Sequence, residues 1–210
     1  MLTIIAALLS AMPGPPPKAV MPKGAIQEIT LAPIFRYRFM CSEHPAGELD
    51  YAGDALGADC LVFGGMDSDT GFAKLYRSDG RANADWYGWH TDVLAPVNGV
   101  VAFVYDNPRV NTPGTLGPPP AGTVRIRTGD GIIVTMGHLA DIRVHVGDRV
   151  EAGQVLGLDG NNGNARAPHI HIGAYREANN EPLQIRWDLR ALAKTTPSSI
   201  AIGSSNAAGK

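Results

Sequence analysis

Cysteine is scarce in this 210-residue chain: only Cys41 and Cys60 occur. They do not form a CxxC pair, so the usual redox and zinc-pair readings are excluded. In an exported protein they read as one disulfide closing a loop, and in a reducing compartment as two separate buried thiols. Charge imbalance is also lacking. Eighteen Lys and Arg stand against twenty Asp and Glu, a net charge of -2. No basic footprint for a polyanion exists, which argues against nucleic acid as a partner. A membrane-spanning run is missing too. The apolar stretch Met1 to Met12 falls short of the roughly 20 residues a bilayer requires. It is broken by Pro13 to Pro17, so no transmembrane anchor is expected. It reads as the apolar core of a signal segment, although no Lys or Arg precedes it. Export to the periplasm, cell envelope or medium follows from that reading. Finally, no lysine occurs between Lys74 and Lys194.

The chain has 25 glycines and 16 prolines, too many for a helix bundle. They fall between short Val- and Ile-rich runs, as in an all-β chain with many turns. Residues 1–12 are taken as the signal segment, 13–25 as a Pro-rich linker and 26–85 as an irregular N-terminal subdomain or wrap. Residues 86–193 form the main domain and 194–210 a polar, disordered tail. Within the main domain the runs VLAPVNGVVAFVY, TVRIRT, GIIVTMGHL, QVLGLDG and HIHIGAY recur at the intervals of an antiparallel sandwich or barrel. The loop from Asn107 to Gly122 is too rich in Pro and Gly for a central strand. Long ordered loops of this kind often border binding sites.

Six histidines are present. His169 and His171, in PHIHIGA, are two residues apart, so on a strand both rings project to one face while Ile170 and Ile172 project to the other. An HxH pair can equally be a pair of solvated polar residues. His90 and Asp92, in WHTDV, have the same spacing, and an imidazole with a carboxylate is an acceptable zinc pair. Taken alone it also fits an ordinary surface pair. His138 ends an apolar run, where an unpaired imidazole is costly to bury; it could be a core histidine bonded to backbone, or act beside a metal. His145 reads as a surface residue. His44, in a loop beside Pro45, is assigned no role.

In order and spacing, DVLAPVNGVV, GHLADIRVHVGDRVEAGQVLGLDGNNG and PHIHIGA resemble the lysostaphin-like (LytM-type) zinc endopeptidases over roughly residues 86–176. The resemblance implies a small antiparallel β-fold of the duplicated hybrid motif type, with zinc at the floor of a groove. It also implies cleavage of peptide bonds in peptidoglycan cross-links or other Gly-rich peptides. Asp92 and His171 would be metal ligands, and His138 and His169 would activate water and stabilise the tetrahedral intermediate. In one respect the chain departs from the family: the usual HxxxD spacing would put a histidine at position 88, which is Gly88 here. His90, giving HxD, is taken as the third ligand in its place.

Two other classes compete. A metal-free relative could keep the fold and serve as a binding or regulatory module of the envelope. The hairpin text VHVGDRVEAGQVLG also occurs in biotinyl, lipoyl and phosphocarrier domains. The lysine-free stretch argues against the first two, and the leader against the cytosolic third.

Overall fold

The computed structural model describes residues 16–66 and 71–195. The signal-like segment 1–12, residues 13–15 of the linker and residues 196–210 of the tail lie outside that range.

Twelve strands, one short α-helix and a 3₁₀ turn at Asn83–Asp85 make up the described chain: β1 (Glu28–Leu31), β2 (Phe39–Glu43), β3 (Ala58–Val62), β4 (Asp92–Leu94), β5 (Gly99–Tyr105), β6 (Thr123–Arg127), β7 (Ile132–Gly137), β8 (Leu139–Ala140), β9 (Arg149–Val150), β10 (Val155–Asp159), β11 (Ile170–Arg176), β12 (Glu181–Trp187) and α1 (Leu189–Thr195). The all-β expectation holds. The larger sheet runs β1-β12-β11-β7-β6-β5-β9, with β3 and then β2 branching from β11. A smaller sheet runs β4-β10-β8. Pairing is antiparallel throughout except where β1 lies parallel to β12. No described helix is long and apolar enough to cross a membrane.

Alternation within the strands sorts core from cleft. Val124 and Ile126 of β6, Val134 and Met136 of β7, and Ile170, Ile172 and Ala174 of β11 are all buried in one hydrophobic cluster. Val93, Leu139 and Leu156 of the smaller sheet belong to the same cluster, so the core lies between the two sheets. Each fully buried aliphatic side chain there contributes about 1.5–3 kcal/mol. The intervening residues, Thr123, Arg125, Thr135, Gly137 and His171, face a cleft of about 900 Å³ on the outer side of the sheet. Leu116, Pro119 and Pro120 of the 107–122 loop form part of its wall. That loop is pinned by Asn111, whose side-chain amide donates to the carbonyls of Gly163 and Ala165.

Region 26–85, which has little pattern as sequence, supplies three strands. β3 pairs with β11, placing Asp59 directly opposite His171. β2 pairs with β3, and Cys41 faces Cys60 across them in a disulfide.

Candidate active site

The site is assembled on one row of the larger sheet. Asp59 of β3, His171 of β11 and Gly137 of β7 are register partners. Around them stand His44, just past β2, His138, just past β7, and His169, just before β11. Both His169 and His171 therefore lie beside the cleft, while Ile170 and Ile172 are buried in the core.

Three imidazole nitrogens converge on one carboxylate oxygen. From Oδ1 of Asp59, Nδ1 of His171 is 2.9 Å away, Nε2 of His44 3.5 Å and Nε2 of His169 3.6 Å. Nε2 of His44 is buried and has no hydrogen-bond partner. His44, Asp59 and His171 present ligand atoms that all lie within 4.8 Å of one another. Two imidazoles and a carboxylate are a donor set of the kind found in catalytic zinc sites. An orphaned buried nitrogen is what a missing cation would leave, so the residues present fit the metal.

Hydrogen-bond partners fix the protonation of each ring, since a carbonyl oxygen can only accept. His138 donates from Nδ1 to the Asn162 carbonyl (2.8 Å) and His169 from Nδ1 to the Ala167 carbonyl (2.8 Å). When neutral, each therefore carries its lone pair on Nε2. His171 has acceptors on both sides. Besides Asp59, its Nε2 faces the Gly53 carbonyl at 3.1 Å and Asp54 Oδ1 at 3.3 Å. Without metal it is an imidazolium. Burial pulls its pKa down, but the hydrogen bonds and charges of Asp54 and Asp59 raise it to about 10. Burial likewise opposes ionisation of Asp59, yet His169 and His171 hold its carboxyl well below the usual carboxylate range. His138 is pushed down to about 3, first by burial and then by the neighbouring charges of His169 and His171. It stays neutral at any physiological pH.

His138 is also held in a strained position. Its φ is +68°, unusual for a side chain of that size. The Asn162 side chain anchors this corner by donating to the carbonyls of His138 and Leu139 and accepting from the Gly122 amide. With its Nδ1 proton committed to Asn162, a neutral His138 has no N–H left for an oxyanion. Its Nε2 is left as an acceptor. Its ring stands 4.5 Å from that of His169.

The structure brings together His138, His169 and His171 but not His90 and Asp92. His90 does not sit on a regular strand: its φ is +58°, so the alternation that would align it with Asp92 does not apply. It is exposed and stacks on Trp89 at 4.0 Å. Asp92 opens β4 in the smaller sheet and faces Arg143 at 3.8 Å. The ligand atoms of His90, Asp92 and His171 do not gather within 4.8 Å of one another. Where the family spacing would place a histidine, a Cβ on Gly88 would lie 2.3 Å from Oδ2 of the buried Asp159. His145, as expected, is a surface residue near Asp148.

His44, Asp54 and Asp59 were not found from sequence. Asp59 and His171 are 112 residues apart, and no local spacing links them. The one available hint was that the two cysteines flank this segment.

Residues 87–184 match the model of peptidase family M23. A stretch of 35 residues is 53% identical to the glycyl-glycine endopeptidase ALE-1 of Staphylococcus capitis. This match covers 17% of the present chain, which spans only 10% of the length of that curated relative. Among solved structures, the catalytic domain of the antimicrobial peptidase lysostaphin from Staphylococcus simulans is 19% identical, with 75% of this chain and 92% of that one covered and a TM-score of 0.43. The M23 metalloprotease pseudoalterin, described as from the deep sea, is 14% identical over 74% of each chain, with a TM-score of 0.45.

Proposed function

We propose, from the match of residues 87–184 to peptidase family M23, that the protein carries a LytM-type domain and is a zinc-dependent endopeptidase in which His44, Asp59 and His171 hold the ion. It cuts peptide bonds in peptidoglycan cross-links or other Gly-rich peptides, at the cell envelope or outside the cell. The observation that carries the proposal is the convergence of His44, His169 and His171 on one oxygen of Asp59 in the wall of the cleft. The short match to a glycyl-glycine endopeptidase supports the substrate class. In this assignment His44 and Asp59 replace His90 and Asp92, and His171 keeps its place.

When bound, the ion supplies Lewis acidity, which polarises a carbonyl and acidifies water. The chain's own groups handle the proton. His169, its tautomer fixed by the Ala167 carbonyl, offers Nε2 to take a proton from water and return it to the leaving amine. Asp59, 3.6 Å from that nitrogen, steadies the positive charge His169 carries meanwhile. His138, locked neutral by burial, accepts a hydrogen bond at Nε2 and orients the water.

Metal analysis of purified protein and single-site variants tests the assignment. The wild type is expected to bind stoichiometric zinc, His44→Ala and Asp59→Ala to lose it, and His90→Ala and Asp92→Ala to keep it. The opposite pattern would overturn the ligand set. A second reading, a metal-free binding module, draws support from the saturation of both His171 nitrogens by protein acceptors. It takes over if the wild type binds no zinc.

A further inference from the structure

The cleft carries a cation that the chemistry above does not use. Arg125 projects from β6 into the cleft, one row along the sheet from the histidines: Phe103, Arg125, Thr135 and Gly173 are successive register partners on β5, β6, β7 and β11. Its guanidinium lies over the Phe103 ring, 4.8 Å from the centroid. Its Nε is buried and has no hydrogen-bond partner.

Neighbouring arginines behave differently. Arg127, two residues along the same strand, grips both carboxylate oxygens of Glu177. Arg143 pairs with Asp141, and Arg186 with Glu28 and Glu43. Among the described residues no carboxylate pairs with Arg125. A guanidinium held over an aromatic ring, with a buried donor left open, is pre-organised for a planar anion, and carboxylate fits it by bidentate bonding.

We propose that Arg125 is a specificity-determining residue that binds a carboxylate of the substrate peptide. The inference rests on the peptidase reading for its substrate but not for its binding. Arg125 and His171 differ by two residues along the strands and two strands across. At about 3.4 Å per residue and 4.8 Å per strand this is a separation of about 12 Å. An extended peptide covers that in roughly three to four residues. The favoured substrate therefore has an acidic side chain, or a free α-carboxylate, three to four residues from the bond that is cut. Phe103 serves as the platform for the guanidinium.

The test uses oligoglycine peptides in which one Glu is moved along the chain, each matched by a Gln peptide. With zinc-loaded full-length protein, kcat/KM should favour Glu over Gln at one position by at least about tenfold, mainly through KM. In Arg125→Gln that ratio should collapse to about 1, and in Arg125→Lys it should be partly retained. Titration of the same pairs onto the His169→Ala variant reads the preference without turnover. If no peptide is cut but the Glu preference in binding depends on Arg125, the peptidase reading fails and this one stands. If wild type binds and cuts Glu and Gln peptides alike, or if Arg125→Gln keeps the preference while retaining its thermal midpoint, Arg125 has no such role.

Discussion

Replacing Gly88 by alanine probes the position where this chain leaves the family spacing. A Cβ there would sit 2.3 Å from Oδ2 of Asp159. The carboxyl cannot swing away freely, since the Asp159 amide donates to Thr91 and its carbonyl accepts from His90. Overpacking of this kind costs about 1–3 kcal/mol. Asp159 itself is fully buried, and neither carboxylate oxygen has a partner. Leaving such a group unsatisfied costs about 1–3 kcal/mol, so Asp159→Ala is expected to be neutral or stabilising at pH 7 despite the space it opens. In the Asp159→Ala background the alanine at position 88 enters vacated volume, and its penalty should fall by about 1–3 kcal/mol, a coupling of the size found between contacting residues. The pH dependence has a definite sign. Burial pushes the Asp159 pKa well up, so the folded state holds a proton that the unfolded chain releases above about pH 3.9. Wild-type stability is thus eroded as pH rises from there towards the folded pKa, and the advantage of Asp159→Ala should be larger at pH 7 than at pH 4. Urea unfolding of the four proteins, followed by tryptophan fluorescence, measures both effects. Equal Gly88→Ala penalties in the two backgrounds, or an Asp159→Ala protein clearly less stable at pH 7, would refute the reasoning.

Loss of the proton carrier should separate chemistry from metal binding. His169→Ala is expected to lower kcat by about 10²–10⁴-fold with zinc retained, and loss of zinc would show it to be a ligand. His138→Ala should also reduce turnover without releasing zinc, as measured by metal content and peptide cleavage. Opening the Cys41–Cys60 disulfide, whose partners are 19 residues apart, should destabilise the protein by about 3 kcal/mol through the freed unfolded chain. Coincident denaturant midpoints for oxidised and reduced protein would contradict this.

The β-architecture was legible because period-two alternation and turn residues are local properties. The same holds for the cleft side shared by His169, just before β11, and His171 on it, since the i, i+2 spacing is local. His90 and Asp92 do not share a strand face, because the backbone turns into the left-handed region at His90, which the HxD spacing alone does not reveal. His44 and Asp59 escaped notice for a different reason. Their partner is brought alongside by β3–β11 pairing, and nothing in the polar text between the cysteines encodes that register. That the 107–122 loop is not a central strand was readable from its Pro and Gly content, and its place beside the cleft from its length.

The pairing of β3 with β11 also sets when the cluster can exist. A chain emerging from the ribosome exposes His44 and Asp59 more than a hundred residues before His171. Closing a loop of 112 residues costs about 4 kcal/mol in chain entropy beyond the constant term. No growing intermediate can therefore gather these rings around the carboxylate until β11 has docked. The cluster would therefore assemble in one step with the last strands. By the same token, a fragment confined to residues 87–184 would keep His138, His169 and His171 but lack Asp59, the acid on which His169 and His171 converge.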